Sequence, residues 1–515
     1  MARSSWRPSP AGPAWFNEGV GGGRAPLACF AVSFLFLLIT HFPYLRLPYH
    51  WDELGYYVPA AREILVSGNV VPRGTPPTVH PPLLLLYLAA AWKLFGFGIP
   101  VTRVAMLVVG AATLSAVFVL AGRLAGARAA ATAVVLLAVS PPFVTQTMLA
   151  HLDLAAAFWT LITLICFVQG RWALCGAAAA ALVLTKETGL IIPAALAAFA
   201  GGARKRLWIL APPVAALGCW LLQLQSVTGH WLGNPEFARY NLKEALDLAR
   251  IPLALARRLY QLGFANFHWI ATGALIVAGL RRRAPAASLW RPLGACVAGL
   301  VALHSVTGGA LLLRYLLPAL ALFYVAAAAA FETLTARMRR AALVVLLAGL
   351  AVSNWWNPPY PFAWEDNLAL VDFVRLQQRA ALWLSEQMPE RTVTTAWPMT
   401  DALTNPLAGY LQKPLRVRPI ENFQSESWAT AEAGGLDVVA LYSRSWEPEP
   451  GWQRWPPAAR LLERRFGWRP QRGPQELICR NGMRRVARWE SRGQWMEILV
   501  ASTPAGSRGP GPGSR

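Results

Sequence analysis

The fold class this sequence predicts is a polytopic α-helical membrane protein of about 11 spans plus interfacial helices, with a small C-terminal extracytoplasmic α/β domain. Three observations predict it. Hydrophobic residues make up 55% of the 515 positions and charged residues only 14%, with a mean hydropathy of +0.37. Apolar runs of about twenty residues recur between 28 and 356, each long enough to cross a bilayer. Past Trp355 the chain becomes charged and Trp-rich and no further run appears. A soluble multidomain chain is excluded by this balance. The net charge of +22 does not argue for nucleic acid, because Lys and Arg collect in the cytoplasmic loops of membrane proteins.

Residues 1–27 are rich in Pro, Gly and Ser with Arg3, Arg7 and Arg24, and read as a disordered cytoplasmic tail. A transmembrane module follows over 28–356. Its first helix, roughly 28–47, lacks a small-residue cleavage site and precedes many more spans, so it reads as an anchor. The first outer loop covers 48–81. From 80 to 98 the chain is apolar but short and contains Lys93, which predicts a helix lying at the outer interface, with a full span as the alternative. Further spans are predicted at 102–122, 129–149, 152–169, 172–185, 188–203, 207–227, 264–280, 288–305, 311–331 and 340–356, making eleven crossings.

The outer loop 228–263 has apolar residues at helical spacing after the start signal Asn234-Pro235-Glu236, and predicts an amphipathic interfacial helix. In the extracytoplasmic domain, 357–500, helices are expected over 366–388 and 403–410. VTTAWP (393–398) and DVVALYSR (437–444) read as buried strands. Residues 501–515 form a second disordered tail.

Charge sets the orientation. The predicted inner segments hold sixteen Lys and Arg, among them Arg204-Lys205-Arg206 and Arg281-Arg282-Arg283, against only Glu18 and Glu332. That bias puts the N-terminus in the cytoplasm. All seven histidines fall in or beside predicted outer segments, so polar chemistry is concentrated on one side. The six cysteines are scattered, mostly in apolar runs, and suggest neither a disulfide framework nor a metal spacing.

The polar stretch 50–82, HWDELGYYVPAAREILVSGNVVPRGTPPTVHPP, is where chemistry is expected. Asp52 and Glu53 directly follow the first span, and a carboxylate there suits deprotonation of an acceptor hydroxyl. Tyr56 and Tyr57 come next, as cavity or acceptor-facing residues. His80 precedes Pro81-Pro82, which fix a turn into the next helix and set the imidazole at headgroup level. Asp153 in LAHLDLAAAF lies at the outer start of a span, where an acid is paired or functional. Lys186-Glu187 in LVLTKETGLI occupies the outer turn between two apolar helices, and a lysine there can hold a lipid-linked phosphate as a point charge. Arg314 in LLLRYLLP is a second phosphate candidate. Each has a structural alternative: a solvated acid pair at 52–53, an internal Lys186–Asp153 or Lys186–Glu187 ion pair, a snorkelling Arg314.

The order of WDE, HPPL, HLDLAAAFW, LTKETGLIIP and RYLLP resembles the GT-C superfamily of membrane glycosyltransferases. The likeness is to the group of protein O-mannosyltransferases (dolichyl-phosphate-mannose-protein mannosyltransferases) and aminoarabinose-transferase-like enzymes. It covers roughly residues 28–330. The resemblance implies Asp52 as catalytic base with Glu53 beside it, Asp153 lining the same cavity with Glu187, Tyr56 and Tyr57, and Lys186 and Arg314 facing the donor phosphate. Relatives often carry Lys where His80 stands. Some use a divalent cation, for which this sequence offers no clear ligand set.

The expected activity is inverting transfer of a sugar from a polyprenyl-phosphate donor to a protein, lipid or glycan acceptor, at the outer face of a bacterial inner membrane, with the lumenal face of the endoplasmic reticulum as the alternative of the same topology. The rival expectation is a transporter or lipid flippase. Such proteins place ionisable groups at mid-membrane in repeated halves, whereas here no repeat is visible and the acids cluster at the outer ends of spans.

Overall fold

The computed structural model describes residues 24–243, 246–281, 287–358, 362–443, 455–466 and 471–502. The expected tails therefore lie mostly outside the described residues, as do Arg282, Arg283 and Arg444. The chain forms two compact units, Met1–Leu45 with Tyr56–Trp356, and Arg46–Gly55 with Asn357–Arg515.

Among its described residues the first unit is built of helices and connecting loops, with no strand. Helices long and apolar enough to cross a membrane are Arg24–Tyr44, Ile99–Ala125, Ala203–Thr228, Leu289–Val306 and Leu313–Phe331, and Arg250–Gly263 with His268–Leu280 forms a further pair bent by 86°. Among the described residues five to six crossings are long and apolar enough, against the eleven expected. The difference lies in length, and for Ala336–Ser353 in charge, since it opens with Arg337, Arg339 and Arg340. Leu83–Phe95, Ala127–Ala138, Leu152–Val168, Trp172–Thr185 and Glu187–Phe199 are apolar but run only 10–17 residues, at a rise of about 1.5 Å per residue. The span expected over 129–149 is cut at Ser140, where Pro141 and Pro142 start a separate short helix, since a proline removes a helical donor and clashes with the preceding turn.

Close backbone approach holds the bundle together. Helix Trp172–Thr185 packs against Ala203–Thr228, and a methyl group at Gly176 would fall 2.0 Å from the carbonyl oxygen of Trp208. Only glycine fits that crossing. Asn234 caps the helix Pro235–Ala238 by accepting from the Glu236 N–H at 2.9 Å, as its sequence suggested. Helix Arg250–Gly263 is amphipathic, with Leu253, Leu255, Leu259 and Tyr260 exposed and Ala254, Arg258 and Leu262 buried.

The second unit is built on a five-stranded mixed sheet of order β2-β1-β3-β5-β4, with β1 Val393–Ala396, β2 Val417–Ile420, β3 Val438–Tyr442, β4 Met483–Ser491 and β5 Gln494–Ala501. The expected buried strands are β1 and β3, and every residue of both is buried. They pair in parallel with each other, β1 also with β2, while β5 runs antiparallel to β3 and β4. Helix Ala369–Gln387 covers the β4–β5 side. The helix expected over 403–410 is displaced to Met399–Thr404, because Asn405 and Pro406 start a separate turn at Pro406–Ala408. The β4–β5 hairpin turns through Arg492 (φ 43°) and Gly493 (φ 79°), the left-handed pair that matches the strand twist.

Candidate active site

In the first unit every candidate side chain sits where a helix starts or breaks. Asp153 is in the first turn of Leu152–Val168. Lys186 is the extended residue (φ −151°, ψ 121°) after Trp172–Thr185, followed by the 3-10 turn Glu187–Leu190. Arg314 lies on the 3-10 turn Leu313–Leu316, ahead of the helix containing Pro318. His80 stands just before Pro81-Pro82 and Leu83–Phe95. Irregular backbone at this depth is tolerated only where protein covers it or a cavity is lined, and here it aims polar side chains inward.

Those side chains converge. Lys186 Nζ lies 2.6 Å from Asp153 Oδ1, and Arg314 Nε lies 3.4 Å from Asp153 Oδ2, all three groups being buried. Arg314 Nη1 donates to His151 Nδ1 at 2.7 Å. The His151 ring meets Tyr57 at 5.9 Å, and Tyr57 meets His80 at 6.3 Å. His80 Nδ1 is paired with Glu187 Oε2 at 2.9 Å, and Glu187 adjoins Lys186, which closes the ring of contacts. Tyr56 packs edge-on against Tyr57 at 5.4 Å. Burial raises the Tyr56 phenol above its ordinary value, opposed by hydrogen bonding to Thr78.

The anionic alternative foreseen for Lys186 is thus realised, with Asp153 as the partner. Two cations share one carboxylate, an excess of positive charge in a desolvated place. Asp153, Lys186, Thr188, His304, Tyr315 and Pro318 are among the residues that enclose a space of about 10 Å³, no more than one water's volume.

Four further residues escaped the sequence reading. The Tyr315 ring takes Lys186 Nζ at 4.2 Å, with the Arg314 and Arg258 guanidinium carbons at 5.5 and 5.8 Å, and cations over an aromatic face are attracted by its quadrupole. His304 stacks on the same ring at 5.5 Å. Arg258 is fully buried and donates to the Leu312 carbonyl at 2.6 Å. His151 and Tyr315 stand inside the quoted motifs HLDL and RYLLP, a signal that was available. Arg258 was hidden by the amphipathic pattern around it.

Asp52 and Glu53 belong to the other unit, carried on Arg46–Gly55. Glu53 is buried and its Oε2 accepts from the His50 N–H at 3.1 Å, so its carboxylate shapes the loop. Asp52 is partly exposed. Trp51, immediately before it, has φ 48°, a left-handed conformation that costs a bulky residue about 1–2 kcal/mol. Such strain persists only where the surroundings over-determine it. Among the described residues no three His, Cys, Asp or Glu side chains come together as a metal site.

Buried cations gathered at helix breaks of an apolar bundle define an integral membrane protein with a desolvated polar cluster. Comparison with known proteins sharpens this class. Residues 79–231 match the family model of dolichyl-phosphate-mannose-protein mannosyltransferases, and HPPL, HLDLAAAFW and LTKETGLIIP all fall inside the match. No curated protein matches the chain by sequence.

Among solved structures the fold is similar to ArnT from Cupriavidus metallidurans bound to undecaprenyl phosphate. The TM-score is 0.54 at 16% identity, over 94% of this chain and 99% of that one. The apo state of the same protein gives 0.52 at 16%, over 92% and 98%. AglB from Archaeoglobus fulgidus, in complex with an inhibitory peptide and a dolichol-phosphate, gives 0.48 at 14%, over 83% and 70%. The expected resemblance therefore holds, by sequence to a family of polyprenyl-phosphate-sugar glycosyltransferases and by fold to the GT-C enzyme ArnT.

Proposed function

We propose that this chain is an inverting glycosyltransferase that moves a sugar from a polyprenyl-phosphate donor to an acceptor on the extracytoplasmic side, with Asp52 as base. The observation that carries the reading is the Lys186–Asp153–Arg314 cluster, two buried cations held on one carboxylate. In the reaction the acceptor hydroxyl or amine attacks the anomeric carbon from the face opposite the phosphate. Asp52 takes the acceptor's proton, and the bond from the anomeric carbon to the phosphate oxygen breaks with its electron pair leaving on polyprenyl phosphate. Lys186 and Arg314 stabilise that developing charge, the kind of electrostatic help that dominates in water-excluded sites. His80 joins them through Glu187, and Tyr56, Tyr57 and Asp153 line the approach of the acceptor.

The acceptor is a protein, lipid or glycan. We take the four shorter apolar helices between Ala127 and Phe199 and helix Ala336–Ser353, together with the five of full length and the bent pair, as the eleven expected crossings, with the N-terminus cytoplasmic and the C-terminal unit extracytoplasmic in a bacterial inner membrane. The inner excess of Lys and Arg supports this orientation. A divalent cation is not needed to write the step and is not assigned.

The test is release of free polyprenyl phosphate by purified protein in lipid, across a panel of polyprenyl-phosphate sugars. Asp52→Asn should lower turnover by about 10²–10⁴-fold, the usual worth of a general base, while donor binding persists. Undiminished release by Asp52→Asn would remove Asp52 from the mechanism. Solute uptake that depends on Asp153, with no transfer from any donor, would establish a transporter instead.

A further inference from the structure

The C-terminal unit carried no chemistry in the sequence, yet it holds the ten residues that include Asp52. Arg46–Gly55 packs with residues 357 onward rather than with the helices on either side of it in the chain. The backbone of Tyr49 is pinned at both ends: its N–H donates to the Ala408 carbonyl at 3.0 Å, and its carbonyl accepts from the Tyr410 hydroxyl at 3.1 Å. The His50 ring stands edge-on to Phe373 at 5.3 Å. The strained Trp51 stands edge-on to Trp397 at 4.5 Å, and a methyl group at Gly55 would come within 3.1 Å of the same Trp397 ring. Trp397 is itself anchored, since its carbonyl accepts from the buried Tyr442 hydroxyl at 2.6 Å.

Residues on both sides of Asp52 are therefore fixed by one indole. From this geometry we infer that Trp397, together with Tyr410 through its bond to the Tyr49 carbonyl, is a positioning residue for the base. The C-terminal unit thus acts in the reaction by setting the direction of the Asp52 carboxylate. Loops that wander sample many carboxylate directions, and a displacement of about 1 Å in a reacting group can cost about 10²-fold in rate. A left-handed Trp51 with no partner would relax, turning the next residue with it. The inference rests on the reading of Asp52 as base.

The experiment measures turnover, donor KM and the pH dependence of kcat for the full chain in lipid, for Asp52→Asn, Trp397→Ala, Trp397→Phe and Tyr410→Phe. Trp397→Ala should lower kcat by about 10²-fold with donor KM changed less than about twofold. The acid limb of its kcat profile, which reports the base in the bound complex, should move. Trp397→Phe, keeping an aromatic face, should recover most of the turnover. Tyr410→Phe removes one hydroxyl and leaves the packing, so it should fold and still lower kcat by about three- to tenfold, the worth of one hydrogen bond.

If Asp52→Asn abolishes turnover while Trp397→Ala and Tyr410→Phe keep it, the inference falls and the base assignment stands. If Asp52→Asn keeps turnover, both fall. A loss in the Trp397 and Tyr410 variants that follows the amount of folded protein alone, with the acid limb unmoved, would also overturn the inference, because a merely structural role gives that pattern.

Discussion

Asp153→Asn is the substitution whose consequences can be worked furthest. In the natural chain Lys186 and Asp153 are 9% and 5% exposed and 2.6 Å apart, with Arg314 on the second carboxylate oxygen. Removing the anion while keeping the shape leaves two buried cations facing an amide, and breaking a buried pair in this way costs about 3–5 kcal/mol. The variant should therefore unfold well below the natural protein. A phosphate monoester entering the same place restores the missing charge. At a polyprenyl phosphate concentration of about 100 times its Kd, linkage alone contributes about 2.7 kcal/mol, enough to recover more than half of the smaller loss.

The natural chain must first displace its own carboxylate, so it should gain less from the same lipid. The assay is thermal unfolding in nanodiscs with and without polyprenyl phosphate, using the neutral polyprenol as control. The expected result is a larger upward shift for Asp153→Asn than for the natural chain, and none with polyprenol. Equal or smaller shifts in the variant would refute the idea that the carboxylate occupies the phosphate's place.

Two further outcomes follow from particular contacts. Gly176→Ala should lose about 1–3 kcal/mol, the cost of overpacking, because its methyl group meets a backbone oxygen at 2.0 Å. Unfolding temperature and yield of folded protein check this, and an unchanged protein would mean the two helices can separate freely. Glu63 organises the loop that follows its own helix: burial opposes its ionisation, but the N–H groups of Gly74 and Arg73, the Asn69 amide and the Arg73 charge bring its pKa below the ordinary 4.5. A depressed carboxylate contributes stability that is present above the unfolded value and lost as pH falls through the folded one. Exchange of the Arg73 and Gly74 amides should therefore stay slow, relative to their intrinsic rates, down to about pH 4.5 and be relieved below it, while Glu63→Gln should exchange fast throughout.

Much of the bundle was legible in the sequence because hydropathy and local signals agree there. The Asn234 cap, the helix edges at 152, 172 and 185, and the break at Lys186 are all decided within a few residues of chain. The buried strands β1 and β3 were legible for the same reason, being short apolar runs between turns. What stayed hidden depends on partners distant in sequence. Arg258 reads as the polar face of an interfacial helix until Tyr315 and the Leu312 carbonyl are brought against it. The hairpin of β4 and β5 was missed because Arg492 takes the left-handed place where Asn or Asp would have announced a turn. Nor could local pattern reveal that 46–55 leaves its neighbours in the chain, since nothing in HWDE names Phe373 or Trp397.

That exchange of partners has a consequence for how the protein is made. About 300 residues separate Gly55 from Asn357, so at about 5–20 residues per second the loop leaves the ribosome roughly 15–60 s before the segment that receives it. Throughout that interval a Trp- and His-bearing loop waits without the Phe373 and Trp397 rings that pack against it. Biogenesis therefore has a late step in which the last part of the chain to be synthesised claims one of the first. A ribosome stalled before residue 357 would leave a bundle inserted in the membrane but still lacking the seat for Asp52.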